Sequence, residues 1–337
     1  MTLRPSFVLP GTVHPGTDRQ RTLLEIAEHL DEVSGWHAVF VPDTILALRF
    51  YESTVLLAAL AARTRRIRLG VACLSTLGLR QPLVVAQQWA ALDDLSGGRM
   101  TLIACPGNRT GAKHERERAA FGLEYDEKVE RMLDALDLLR VASTNDRFSY
   151  HSPYLDLEDV ELTPGFRQRP LPIWMVANPS PLAADDGLRR VLDRVARYGD
   201  GWLTYQVTPD LLERRLAVLQ ELRAARGAGG PFPVAVQVNL CVAPTREEAF
   251  TDAAAAWDLQ NTRGLSFAQL LSTSAIGTPE DCAAFLESLH AAGATDVLLH
   301  PLSADPATQA RRASRDVLPL LPGAPLHAPG PTAGVGR

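Results

Sequence analysis

The chain of 337 residues has little of what most catalytic signatures are made from. Its four cysteines, at 73, 105, 241 and 282, form no CxxC pair and no metal-type spacing. Neither a metal centre nor a disulfide framework is therefore expected, and a reducing compartment is. There is no basic excess: 34 Lys and Arg stand against 39 Asp and Glu, a net charge of −5. That argues against nucleic acid or acidic lipid as a partner. The longest apolar run, Thr54 to Ala62, is about half a membrane span and ends in Arg63. The opening MTLRPSFVLPG lacks a basic segment followed by an apolar one, so no secretory leader is read there. The expectation is a soluble, cytoplasmic protein. GxSxG, HExxH and the P-loop are all missing, and no GxGxxG follows a strand. Nothing supports a Rossmann unit for NAD(P)H.

What is there is a rhythm. Short β-branched or apolar runs alternate with longer amphipathic stretches, the pattern of a parallel sheet covered by helices. Eight strands are predicted: Ser6–Leu9, Ala38–Val41, Ile67–Leu74, Met100–Cys105, Ile173–Val176, Gly201–Thr204, Val234–Val242 and Asp296–His300. Helices are predicted between them, two of them in 245–292, and a last one after strand eight. The fold class is α/β, a (β/α)₈ TIM barrel over residues 1–321 with insertions after strands four and seven. Segment 106–124 reads as a polar, Arg-rich loop, and the charge run Lys113–Arg118 within it as a solvated helical face. Segment 142–172 reads as an inserted hairpin. The tail 322–337, rich in Pro, Gly and Ala, is expected to be disordered.

In such a barrel the reacting groups lie just past the C-terminal ends of the strands. That rule selects Pro10 and Gly11; Asp43 and Thr44; Ser75 and Thr76; Cys105, Gly107, Asn108 and Arg109; Ala177, Asn178 and Ser180; Tyr205 and Gln206; His300 and Ser303. The set is polar but thin in acids and bases. It suits a cofactor that brings its own reactivity, with the protein supplying shape and hydrogen bonds.

The segments GWHAVFVPD, ARTRRIRLGVACL, DDLSGGRMTLIACPGN, AAFGLEYDEKVERMLDALDLLR, LPIWMVANP, RVARYGDGWLT and IGTPEDCAAFLESLHAAGATDVLLHP occur in that order. Together they resemble the bacterial luciferase-like flavin and deazaflavin oxidoreductases over roughly residues 5–321. The resemblance implies a cofactor across the barrel mouth. Its ring would rest on a strand-three bulge at Ala72-Cys73, with a non-proline cis peptide, and near Ser75 and Asn108. Its phosphate would lie at Ala177, Asn178 and Ser180, with Lys128 or Arg109 as the cation. Cys105 matches a cysteine of bacterial luciferase beside the ring, Asp43 the family's acid after strand two, and His300 closes strand eight; these are the candidate catalytic groups. Each also has a plain reading, as core, as helix cap or as rim. Where many relatives have a histidine after the strand-two acid this chain has Thr44, which cannot titrate near neutrality. The implied activity is that of a two-component monooxygenase. It would take reduced FMN from a separate flavin reductase, and O₂ and a small organic substrate besides. F420-dependent hydride transfer and a non-catalytic flavin-binding barrel stay open. A homodimer is also implied, with Val55, Leu56, Ala59 and Leu60 as its seam.

Overall fold

The computed structural model describes residues 2–11, 18–48, 50–179, 185–260 and 266–322. The chain runs β1 (Arg4–Val8), α1 (Arg19–Glu32), β2 (Ala38–Val41), α2 (Ser53–Arg63), β3 (Arg68–Leu74), α3 (Pro82–Ser96) and β4 (Met100–Ala104). An insertion follows: α4 (Ala112–Ala120), α5 (Tyr125–Thr144) and the antiparallel hairpin β5 (Arg147–His151) and β6 (Asp156–Glu161). The barrel resumes with β7 (Ile173–Val176), α6 (Asp185–Tyr198), β8 (Gly201–Tyr205), α7 (Pro209–Ala225) and β9 (Val234–Val242). A second insertion holds α8 (Arg246–Gln260), α9 (Phe267–Leu271), β10 (Ala275–Gly277) and α10 (Pro279–Ala291), before β11 (Asp296–Pro301) and α11 (Pro306–Arg312).

Eight of these strands close a parallel barrel. The hydrogen-bonded order is β9-β11-β1-β2-β3-β4-β7-β8, and β8 pairs back onto β9. Helix boundaries have local causes. Gln81 caps α3 through the Val84 amide with Pro82 in the first turn, and Gly97 ends that helix in the left-handed region at φ 73°. Thr278 and Asp281 form a capping box on α10. Inside the barrel a small cluster of Val8, Phe40, Ile103, Trp174, Leu203 and Leu298 fills the axis, while the main core lies between strands and helices.

Two expectations are corrected. The segment read as a loop after strand four contains α4, and the charge run on it is not uniformly solvated: Glu117 is 1% exposed and Arg118 9%. Strand β10 was not predicted. Only three residues long, it sits outside the eight-strand ring on β9, which is long enough to pair with β11 first and β10 afterwards. The tail 323–337 lies outside the described residues.

Candidate active site

The mouth of the barrel has two polar sides. On the first, Asp43 ties β2 to β3. Ser53 Oγ and Arg80 Nη2 donate to its Oδ1 at 2.8 and 3.0 Å, and the Thr76 amide and hydroxyl donate to its Oδ2 at 2.9 and 2.7 Å. Ser75 Oγ donates to the Asp43 carbonyl at 2.8 Å. With both carboxylate oxygens engaged and the residue 5% exposed, Asp43 is built into the hydrogen-bond network that joins the loops after β2 and β3. Removing one partner of a buried ion pair strands the other. Asp43→Ala should therefore lower unfolding free energy in urea by about 3 kcal/mol. A loss under roughly 1 kcal/mol would show that Glu52, which also pairs with Arg80, suffices.

The loop after β2 is held from a distance. Glu117 on α4 accepts the amides of Ile45, Leu46 and Ala47 at 2.7, 2.8 and 3.3 Å. Thr44 closes the same loop on itself, its hydroxyl donating to Leu48 O and accepting the Leu48 amide. Behind it lies Lys128, 3% exposed. Burial lowers its pKa, with Glu117 opposing and Arg118 reinforcing the shift. Its ammonium lies against Gly107, where a Cβ would come within 3.0 Å of Nζ and within 3.5 Å of the Ser75 Cβ. At φ +71° Gly107 is also in a conformation that other residues rarely adopt. Of the expected cofactor contacts, Ser75 and Lys128 thus meet at the mouth. Asn108 and Arg109 turn outward: Asn108 pairs with His114 at 2.9 Å, and Arg109 pairs with Asp126 and lies over the Tyr125 ring. Arg109 and Asp126 are both well exposed.

The wall between the two sides is apolar. The Ala72-Cys73 peptide is cis, as expected, and the β3–β4 register shifts between Ala72 and Leu74. Cys73 and Cys105 are joined in a disulfide, with Cα atoms 5.8 Å apart. The sequence reading, which expected no disulfide framework, did not pair these two. The bond removes Cys105 as a free thiol in this state. On β11, Leu298 belongs to the axial cluster. His300, two residues on, therefore shares its inward face at the mouth. Desolvation pushes the His300 imidazole down to about 4, so the ring is neutral at physiological pH.

The second polar side lies at the ends of β7 and β8. Asn178 Oδ1 accepts from Thr204 Oγ1 at 3.0 Å and from Arg215 Nη1 at 2.9 Å. Ala177, 3% exposed, is fixed by its backbone, donating to Leu203 O and accepting from the Trp202 indole. Arg215, on α7, is 1% exposed, also donates to Pro179 O, and keeps a buried Nε with no partner among the described residues. It borders a cavity of about 640 Å³ shared with Gln206, Thr208, Asp210, Arg214 and Gln269. Ser180 lies outside the described residues. Sequence reading missed Arg215, because one arginine in an Arg-rich amphipathic helix carries no signal of facing inward. Among the described residues, no group of His, Cys, Asp and Glu could hold a metal ion. No described helix is long and apolar enough to cross a membrane.

Comparison with known proteins decides the lineage: the profile of the luciferase-like monooxygenases matches residues 6–296. The chain belongs to that family. An uncharacterized protein of Mycobacterium tuberculosis is 32% identical over 187 residues, covering 56% of this chain and 59% of the relative. Two solved structures share the fold. An F420-dependent secondary alcohol dehydrogenase in complex with an F420-acetone adduct has a TM-score of 0.76 at 15% identity, over 96% of this chain and 100% of the other. The oxygenating constituent of 3,6-diketocamphane monooxygenase from Pseudomonas putida, in complex with FMN, has 0.74 at 16% identity, over 96% and 100%. The chain spans about three fifths of the length of the curated relatives it matches, and the family shown is that of the luciferase-like monooxygenases.

Proposed function

We propose that this luciferase-like enzyme binds reduced FMN at the barrel mouth and oxygenates a small organic substrate with O₂. A separate reductase would supply the flavin. The observation that carries this reading is a division within the barrel: a buried cation with an orphan N–H borders a cavity beyond the ends of β7 and β8, while the cluster inside the barrel is uncharged. A molecule with an anionic end and a flat, largely apolar end fits that division. Arg215 and Asn178 would hold the phosphate end. Ala72, Cys73 and Val176 would face the ring and keep water off it, and Ser75, whose hydroxyl proton goes to Asp43 O, would accept at its polar edge. Bound reduced FMN supplies the electrons that activate O₂. His300, neutral near pH 7, would hydrogen-bond without adding charge.

Anaerobic titration with photoreduced FMN, followed by tryptophan fluorescence, is the test. Saturable quenching on the order of micromolar or tighter is expected, with oxidised FMN binding more weakly. The second reading, F420-dependent hydride transfer, draws on Arg214: a second cation at the same cavity suits a longer anionic tail. Saturable binding of F420 with no effect of FMN would select it. For the homodimer we propose α2 as the seam, narrowed to its outer edge. Leu60 is already buried in the chain's own core, whereas Val55 is 68% exposed.

A further inference from the structure

The Cys73–Cys105 pair has no part in the reading above beyond lining the wall, and its placement asks for one. It joins the mouth ends of two adjacent strands, β3 and β4. Cys73 is only partly buried, and it packs with the axial cluster that floors the mouth. The chain has no need of a staple: its core is extensive, and its other two cysteines, Cys241 and Cys282, are left as buried free thiols. Those two are poor nucleophiles; burial pushes the Cys282 thiol up to about 12 and raises Cys241 further. The only bridge among the described cysteines thus stands where the cofactor ring is proposed to lie.

We propose that Cys73 and Cys105 form a redox-active dithiol/disulfide centre that exchanges electrons with the bound dihydroflavin. The proposal rests on the cofactor reading. In the exchange the S–S bond breaks and two S–H groups form. The two electrons and two protons come from the dihydroflavin, which becomes oxidised flavin. The sulfur that leaves carries negative charge until it is protonated. Lys128 is placed to ease that step, because its ammonium lies against Gly107, two residues beyond Cys105. The chain would thereby acquire a second activity, flavin:disulfide oxidoreduction. It would also acquire two forms of its mouth, one bridged across β3 and β4 and one not.

The test is an oxygen-free mixing of photoreduced FMN with a molar excess of protein, followed by acid quench, alkylation and peptide mass spectrometry. Flavin absorbance should return as the flavin is oxidised, with the Cys73 and Cys105 peptides alkylated in equal molar amount. Cys241 and Cys282 should react alike in both samples once denatured, which calibrates the count. In a Cys73→Ser/Cys105→Ser double variant, brought to saturation by tryptophan quenching at whatever flavin concentration that takes, the bound flavin should stay reduced. The proposal is overturned if wild-type protein binds the dihydroflavin, by fluorescence, while the flavin stays reduced and the bridge intact. Equal oxidation by the double variant overturns it as well. Absence of any quenching by FMN overturns the cofactor reading and, with it, the exchange.

Discussion

Replacing Arg215 by glutamine is expected to weaken binding of reduced FMN by at least about tenfold while leaving riboflavin within about threefold. The first figure follows from chemistry: a hydrogen bond to a charged group contributes roughly 1.5–3 kcal/mol, and 1.4 kcal/mol is a factor of ten. Burial lowers the Arg215 pKa to about 10, which still leaves the guanidinium charged at neutral pH. Three of its contacts are neutral oxygens, those of Asn178, Thr204 and Pro179, and none is a carboxylate. Asp210 lines the same cavity and opposes an anion there, so the cation is needed to offset it. Riboflavin lacks the phosphate and is the control for the ring side of the mouth. Because Arg215 also braces Asn178, Arg215→Lys is the companion variant: it keeps the charge, loses the planar fork, and should fall between wild type and Arg215→Gln. Circular dichroism and a urea midpoint establish folding for both. Equal loss for FMN and riboflavin would place the phosphate elsewhere.

The second large effect is on stability at mildly acid pH. His37 and His300 are both pushed down from 6.5 to about 4, chiefly by desolvation. A histidine whose folded pKa is depressed favours the fold in its neutral form. That contribution is fully present above pH 6.5 and is lost as pH falls from there toward 4, because the unfolded chain takes up the protons first. Between those limits the two residues together give a slope of up to about 3 kcal/mol per pH unit. The two environments differ. His37 has Asp296 nearby, which raises its pKa against the burial, and Arg4 and Arg68, which lower it further; for His300 burial is the sole cause. Urea unfolding at pH 7.5, 6, 5 and 4.5, conditions chosen to bracket the window, should show stability level at first and then falling. His300→Gln should reduce the slope by about half. An unchanged slope in that variant would mean that His300 is solvated at the mouth.

Much of the architecture was legible because its cause is local. Alternating apolar runs, Pro82 and Gly97 around α3, and Thr278-Pro279 at α10 are signals that short-range physics obeys. The segments that carried the resemblance are of the same kind, and they lie largely at the opposite end of the barrel from the site. Arg99 of LSGGRM donates to the carbonyls of Ala61, Thr64, Ile67 and Ser96, below the start of β4. Asp200 of YGDGW pairs with Arg140 and accepts the Ile173 amide, below β7. Conserving barrel strength and choosing chemistry are tasks of different ends.

The site was only partly legible. Ser75, Ala177 and Asn178 stand at the mouth because strand ends must converge there, and Lys128 reaches it from α5. Asn108 and Arg109 follow the same rule in sequence, but positive-φ Gly107 and an exposed partner, Asp126, turn them outward. Glu117 and Arg215 sit in helices whose charge patterns look like solvated faces, and neither burial has a cause within its own segment.

By itself, then, the order of residues determined the strand–helix alternation, the closed parallel barrel and the end at which chemistry belongs, since these follow from periodicity, capping and the geometry of parallel strands. Tertiary structure alone decided that Asp43 is saturated, that Cys73 and Cys105 are bonded and that Arg215 is buried with a donor to spare. The physical reason is that hydrogen-bond saturation, sulfur pairing and desolvation are set by neighbours tens of residues away, and no local pattern records which neighbour arrives.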